Sequence, residues 1–196
     1  MNLHELFQLY GTDKATLGYA KHYERYLEPT KVKLLVEIGV EAGNSLRAWG
    51  SWLPNATVVG VDLNLPSTDL LPNNVRLWKG DGTSPDLARQ VVETFGRPDV
   101  VVDDGSHKWG EQRRAFEAWW PYIKPGGWHV VEDLHTSFDP RWGNKESEMT
   151  AVEWLGELTE HVHGTSWVKP KEHSTLMLDE VHCHNMICFL KKRGLK

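Results

Sequence analysis

The sequence predicts an α/β protein with a doubly wound sheet that is mostly parallel and has an antiparallel C-terminal edge strand. Short apolar runs alternate with segments of helical periodicity through most of the 196 residues. The final apolar segments have the pattern of a hairpin, which favours an antiparallel strand at one edge. Polar and glycine motifs fall at predicted strand ends, where sheets of this kind bind ligands.

Several segments have the composition of strands. Residues 33–38 form an apolar run followed by a glycine, which is typical of a buried parallel strand. Further strands are predicted at 57–63, 75–78, 100–102 and 128–131. Residues 175–190 are predicted to form two closing strands, joined by a turn at Asp179 and Glu180.

Helices are predicted from apolar periodicity and from capping residues. Ser84 is a good N-cap and Pro85 suits a first turn, so we expect a helix that begins there and ends at Gly96. A second helix is predicted over 111–120. A third is predicted over 147–162, with an apolar face made of Met149, Val152, Leu155, Leu158 and Val162.

Composition and charge argue against several classes of protein. The net charge of -5 argues against a nucleic-acid partner, and no apolar run approaches the roughly 20 residues of a membrane span. Cys183 and Cys188 are predicted to be buried thiols instead of a disulfide framework. Because the N-terminus lacks a signal-peptide pattern, we expect a single cytoplasmic domain over residues 1–196.

A glycine loop follows the first predicted strand. Gly39 and Gly43 are four residues apart, which differs from the G-x-G-x-x-G spacing of dinucleotide binders. Asp62 ends the second strand about 20 residues later, where such sheets hold a ribose hydroxyl. Each glycine alone is typical of a tight turn, whereas the ordered set resembles the cofactor loop of S-adenosylmethionine-dependent methyltransferases. That resemblance implies cofactor contacts from Glu37, Gly39, Gly43, Ser45, Asp62, Asp81 and Asp103.

Carboxylates follow the fourth and fifth predicted strands. The pairs Asp103-Asp104 and Glu132-Asp133 are expected to converge, because these strands are predicted neighbours that end at one edge of the sheet. Unpaired carboxylates in one cleft repel each other, and a hard cation such as Mg²⁺, Mn²⁺ or Ca²⁺ removes that repulsion. The alternative is that these residues cap helices. His107 follows closely, and histidine suits a general base near neutral pH.

Other histidines and tryptophans are open to two interpretations. His182 and His184 are expected to be structural parts of a strand, and His161, His163 and His173 form a weaker candidate zinc site. Trp109 and Trp142 can offer flat faces to a sugar ring, although core packing explains Trp109 equally well. Residues 136–144 are a candidate substrate loop.

Six motifs occur in an order that resembles one enzyme family. They lie at residues 10–14, 22–23, 36–40, 103–107, 124–127 and 131–137. The set is similar to the metal-dependent sugar O-methyltransferases of macrolide biosynthesis, the mycinamicin and demethylmacrocin O-methyltransferases. The resemblance covers about residues 10–137 and implies a Rossmann-like sheet of seven strands.

The same resemblance implies roles for individual residues. Asp104, Glu132 and Asp133 would bind Mg²⁺, and His107, acting beside Asp104, would accept the proton of a sugar hydroxyl. The turn that contains Thr12 and Lys14 would fold over S-adenosylmethionine.

The expected function is methylation of a sugar hydroxyl on a free sugar, a saccharide end or a glycosylated natural product. The expected partners are small molecules or saccharides, without nucleic acid or membrane, and homo-oligomerisation is left open. Two rivals are a metal-dependent hydroxylase or hydrolase on the same scaffold and a non-catalytic cofactor-binding module. The first would not need S-adenosylmethionine, and the second would not need His107.

Overall fold

The protein was analysed as a computed structural model, which describes residues 1–143, 148–162 and 176–194. The predictions that involve Ser147, His163, His173 and Thr175 fall outside these residues. The weaker zinc site therefore stays a prediction.

A seven-stranded sheet forms the centre of the molecule, in the order β3-β2-β1-β4-β5-β7-β6. Strands β1 to β5 pair in parallel, and β7 is antiparallel to both of its neighbours. The predicted fold class is confirmed, with β6 at the edge and β7 beside it. The strands are Leu34–Ile38, Thr57–Asp62, Val75–Lys79, Val100–Asp103, Trp128–Val131, Leu178–His184 and Ile187–Lys192.

Helices cover both faces of the sheet, and this explains why β1 is buried along its whole length. Val36 of β1 packs in the apolar cluster formed with α4, α5 and α6, whereas its neighbour Leu35 packs in the cluster formed with α1, α2 and α3. This alternation follows from the two-residue period of a strand. The helices are Leu3–Tyr10, Ala20–Tyr26, Asn44–Trp52, Pro85–Phe95, Trp109–Trp119 and Ala151–Val162.

Capping residues set the helix ends. Ser84 accepts a hydrogen bond from the Leu87 amide, as predicted for the start of α4. Helix α6 begins at Ala151, later than predicted, because Thr150 and Glu153 form a reciprocal capping box. The prediction of its apolar face is wrong for two residues. Met149 precedes the helix, and Val152 is exposed. In the described residues, no helix combines the length and apolar character needed to cross a bilayer.

The closing hairpin turns at a different place from the one predicted. Asp179 and Glu180 lie within β6, and the chain reverses between His184 and Ile187. Glu180 is paired in register with Lys191 of β7, and the two side chains form an ion pair with an N–O distance of 2.5 Å. An edge strand accepts such polar residues because one side of it meets solvent, so the prediction of a turn there was wrong.

A disulfide joins the two cysteines, which corrects the prediction of free thiols. Cys183 and Cys188 face each other across β6 and β7, with their Cα atoms 4.0 Å apart. Cys188 is buried, but Cys183 is exposed. Five residues of separation suit a cross-strand pair in a short hairpin, a geometry that only the corrected turn position provides.

Candidate active site

A cavity of about 740 Å³ lies at the carboxyl ends of β1, β2, β4 and β5. This is the edge where parallel α/β sheets bind ligands. The cavity is lined by seven of the residues that the sequence singles out: Thr12, Gly39, Ser45, Asp62, Asp104, His107 and Asp133.

The glycine loop brings main chain close to the cavity. Gly39 has φ of 82°, and a Cβ atom built on it would lie 2.1 Å from the carbonyl oxygen of Asp104. Only glycine fits there. Gly43, with φ of 79°, caps the start of α3 from behind the cavity wall. Asp62 fixes the loop, because its carboxylate accepts hydrogen bonds from the amides of Val40 and Asn64 at 2.8 and 2.9 Å.

Glu37 lies behind the loop instead of in the cavity. It is fully buried, and its carboxylate accepts hydrogen bonds from the Ser45 hydroxyl at 2.7 Å and the Trp49 indole at 3.0 Å. Burial raises the pKa of Glu37 to about 7, although Lys14 opposes this shift. Glu37 therefore stabilises the packing of α3 against β1.

Asp81 and Asp103 line a second cavity of about 250 Å³ that adjoins the first at Gly39 and Asp62. Asp81 accepts a hydrogen bond from the Thr83 amide at 2.8 Å. Burial raises the pKa of Asp103 to about 8, and one of its oxygens has no hydrogen-bond partner among the described residues. Asp103 thus offers a polar atom without a described partner beside the glycine loop.

Asp104, His107 and Asp133 come together on the far wall of the main cavity. One ligand atom from each lies within 4.8 Å of the others. The convergence arises because β4 and β5 are neighbours, with Asp103 paired in register with Val131. Two carboxylates and an imidazole at this spacing can hold a divalent cation.

The backbone at this wall is strained. His107 and Asp133 have φ of 57° and 56°, in the left-handed region that most side chains avoid. The Thr136 hydroxyl donates to the carbonyls of both residues, at 3.1 and 2.8 Å. Such strain persists where the surrounding contacts fix it, and it is concentrated at functional sites.

Lys14 and Glu132 lie beneath the cavity floor. The Lys14 ammonium is 1% exposed and contacts Glu37, Asp104 and Glu132. Burial opposes its charge, but the three carboxylates outweigh that effect and raise the pKa of Lys14 above its ordinary value. Both oxygens of Glu132 accept hydrogen bonds, one from Lys14 and one from Tyr23. Part of the expected charge repulsion is therefore relieved by the protein itself.

Comparison with known proteins identifies the family. The methyltransferase domain family matches residues 36–134, which is half of the chain and includes the glycine loop and both carboxylate pairs. The chain belongs to this methyltransferase family. The matched region begins within β1 and extends past the end of β5, so it spans most of the parallel part of the sheet.

Several methyltransferases resemble the chain beyond this domain. A tetracenomycin rhamnosyl 3'-O-methyltransferase from Streptomyces olivaceus is 32% identical over 164 residues, covering 78% of this chain and 41% of that protein. Mycinamicin VI 2''-O-methyltransferase from Micromonospora griseorubida is 27% identical, covering 97% of this chain and 52% of that protein. The chain therefore spans about half the length of the curated relatives it matches.

A solved methyltransferase has a closely similar structure. MycE, from the mycinamycin biosynthetic pathway, was solved in complex with Mg, SAH and mycinamycin VI. It is 25% identical to this chain with a TM-score of 0.86, and the match covers 99% of this chain and 54% of MycE.

Two tyrosines of the site are not indicated by any sequence motif that predicts a role. Tyr19 donates a hydrogen bond to Asp133 at 2.7 Å, and Tyr23 donates one to Glu132. The motif at 22–23 contains Tyr23 without indicating a role for it, and no motif contains Tyr19. The available signal was two tyrosines four residues apart, which share one helical face, but nothing local indicates that this face meets residues over 100 positions away.

Proposed function

We propose that this protein is an S-adenosylmethionine-dependent and divalent-metal-dependent O-methyltransferase that acts on a sugar hydroxyl. The observation that carries the proposal is that one cavity has the glycine loop on one wall and the cluster Asp104, His107 and Asp133 on the other. The Mg and SAH in the MycE complex support the same pair of ligands.

S-adenosylmethionine would lie along the glycine loop. Asp62 ends β2 beside this loop, at the place where such sheets hold ribose hydroxyls, and Ser45 and Thr12 line the same part of the cavity. Gly39 lets the main chain of this loop pack against Asp104, and Gly43 starts α3 from a left-handed conformation, so both glycines shape the loop. Asp81 and Asp103 border the adjoining cavity, which offers polar contacts to the adenine.

Asp104 and Asp133 would hold the cation, since their carboxylates meet at the cavity wall. Glu132, the third ligand implied by the resemblance, accepts one hydrogen bond at each oxygen, from Lys14 and Tyr23, and would bind the cation through a remaining lone pair. The donor set fits a hard cation because carboxylate oxygens dominate it. A bound divalent cation supplies Lewis-acid chemistry that makes an alcohol more acidic.

His107 would accept the proton of the acceptor hydroxyl. Its Nε2 lies 3.5 Å from Asp133, and its ring lies edge-on to Trp142 with centroids 5.7 Å apart. An alcohol that loses its proton to His107 attacks the sulfonium methyl group, and the sulfur leaves with the bonding electron pair. The protein's remaining task is to align the reacting atoms at about 3 Å.

The acceptor that the structure favours is a glycosylated compound with an apolar portion. A cavity of about 620 Å³ lies next to Leu134, which follows Asp133 in the chain, and is lined by Phe138, helix α6 and the β6–β7 turn. Phe138 is 79% exposed there. Other apolar side chains also line the cavity: Leu134, Val152, Leu155 and Met186. A free sugar would leave this surface uncovered.

Methyl transfer to matched acceptors tests the proposal. The purified protein is incubated with S-adenosylmethionine and either a glycosylated polyketide or its free monosaccharide, with Mg²⁺ or with chelator. We expect formation of S-adenosylhomocysteine with Mg²⁺, faster with the glycosylated acceptor, and none with chelator. Cleavage of the acceptor without cofactor would instead favour the hydrolase, and tight cofactor binding without turnover on any acceptor would favour a binding module.

A further inference from the structure

The N-terminal segment that precedes the matched family region reaches into the acidic cluster. It spans residues 13–26, which comprise the short turn Asp13–Ala15, a connection and helix α2, Ala20–Tyr26. Its side chains Lys14, Tyr19 and Tyr23 are at most 1% exposed, so each is removed from water as completely as a core residue. Burying polar groups in this way is costly unless each of them finds a partner.

Each of the three side chains donates to a different carboxylate of the cluster. The Tyr19 hydroxyl donates to Oδ1 of Asp133 at 2.7 Å, and the Lys14 ammonium donates to Oδ2 of Asp104 at 2.5 Å. Tyr23 donates to Oε1 of Glu132, whose other oxygen contacts Lys14.

In Asp133 and Asp104, these hydrogen bonds hold one oxygen of the carboxylate and leave the other oxygen without such a bond from the segment. In Asp133, Oδ1 is held by Tyr19, while Oδ2 lies 3.5 Å from Nε2 of His107. In Asp104, Oδ2 is held by Lys14 under the cavity floor, although the side chain itself is 22% exposed. The terminal torsion of an aspartate is soft, so an unrestrained carboxylate would rotate freely between its orientations.

We propose that Tyr19 and Lys14 are positioning residues, which turn one oxygen each of Asp133 and Asp104 toward a divalent cation in the cavity. Tyr23 completes the arrangement by holding Glu132 against Lys14. The inference rests on the proposed metal dependence. According to this inference, the orientation of both aspartates depends on a segment that lies outside the matched family region, residues 36–134.

Calorimetric titration of the purified protein with Mg²⁺ tests the proposal. Tyr19→Phe keeps the ring and removes only the donor, and we expect it to weaken Mg²⁺ binding about 10- to 100-fold, the usual effect of losing a partner of a metal ligand. Tyr26→Phe is the matched control, because Tyr26 lies in the same segment and its hydroxyl forms a hydrogen bond with Nε2 of His184, at 2.8 Å, instead of with the acidic cluster. It should bind Mg²⁺ as the wild type does.

A second titration separates positioning from general damage to the fold. Affinity for S-adenosylmethionine, measured in chelator, should be unchanged in Tyr19→Phe, since Tyr19 does not line the cavity within the described residues. Tyr23→Phe should weaken Mg²⁺ binding less than Tyr19→Phe, because Glu132 keeps its contact with Lys14.

The outcomes distinguish this inference from the proposed function. If wild type binds Mg²⁺ and Tyr19→Phe binds it within about threefold as tightly, the positioning role is overturned and the metal dependence stands. If the wild type binds S-adenosylmethionine but no Mg²⁺, the metal dependence and the positioning role are both overturned. Equal losses of Mg²⁺ affinity in Tyr19→Phe and Tyr26→Phe would also overturn it, since the effect would then belong to the helix.

Discussion

Nε2 of His107 lies 3.5 Å from Oδ2 of Asp133, and the opposite nitrogen of the ring is buried without a hydrogen-bond partner among the described residues. The imidazole is therefore not held by hydrogen bonds on both sides. Its left-handed backbone, with φ of 57°, directs it into the cavity wall beside Trp142. This arrangement suits a proton acceptor and also places a nitrogen near the cation site.

Replacing His107 distinguishes these two roles. If His107 is the base, His107→Ala should slow methyl transfer by about 10²- to 10⁴-fold while Mg²⁺ affinity stays within a few-fold. The deficit should shrink as pH rises, because hydroxide then removes the proton instead. A pH–rate profile with saturating Mg²⁺ measures this. A large loss of Mg²⁺ affinity would identify His107 as a ligand, and an unchanged rate near neutral pH would leave it a structural role.

Cofactor binding should depend on Asp62 and be independent of the metal. Asp62→Ala removes the acceptor of two loop amides, Val40 and Asn64. Hydrogen bonds to a charged group contribute about 1.5–3 kcal/mol, so we expect a loss of S-adenosylmethionine affinity of roughly 10- to 100-fold. Isothermal titration in chelator checks this, with exposed Asp69→Ala as control. Tight NADH binding in place of S-adenosylmethionine binding would refute the assignment.

The sequence predicts the parts of the site that follow strands. Because strand ends meet at one edge, Asp104 and Asp133 could be placed together from apolar runs and the carboxylates behind them. The contacts of Lys14 with Asp104 and of Tyr19 with Asp133 could not be predicted, because they span 90 and 114 positions and form only when residues 13–26 pack against the strand ends. The prediction of a turn at Asp179 was wrong for a related reason, because polar residues in a short segment do not distinguish an edge strand from a turn.

His129 should make the protein less stable in acid. It is fully buried on β5, both ring nitrogens lack partners among the described residues, and burial lowers its pKa to about 3. Below the unfolded-state pKa of about 6.5, the unfolded chain binds more protons at this histidine than the folded chain does. The free energy of unfolding therefore decreases as the pH is lowered from about 6.5 to about 3, by up to roughly 1.4 kcal/mol per pH unit.

The variant His129→Leu removes this dependence. Chemical denaturation from pH 7 to pH 4 should show a shallower loss of stability in His129→Leu than in wild type, whereas exposed His4→Leu should behave as wild type. Parallel curves for wild type and His129→Leu would show that His129 does not titrate in this way.

Reduction of the disulfide should destabilise the β6–β7 hairpin modestly. The bridge closes a short loop, with a sequence separation of five residues, so its expected contribution is about 2 kcal/mol. That corresponds to a melting temperature about 4–8 °C lower for a chain of this size. Reductant should shift the wild type and leave the doubly substituted Cys183→Ser, Cys188→Ala protein unaffected. Two freely titrating thiols in non-reducing buffer would contradict the bridge.

The ion pair between Lys14 and Glu132 joins residues 118 positions apart. During synthesis, at about 5–20 residues per second, Lys14 emerges on the order of 10 s before its partner. Until then, helix α2 has no acidic cluster to dock against, and its lysine must remain in water. The N-terminal segment is therefore expected to dock late, after the parallel sheet has formed, and a nascent chain that ends before Glu132 should be open to proteolysis at its N-terminus.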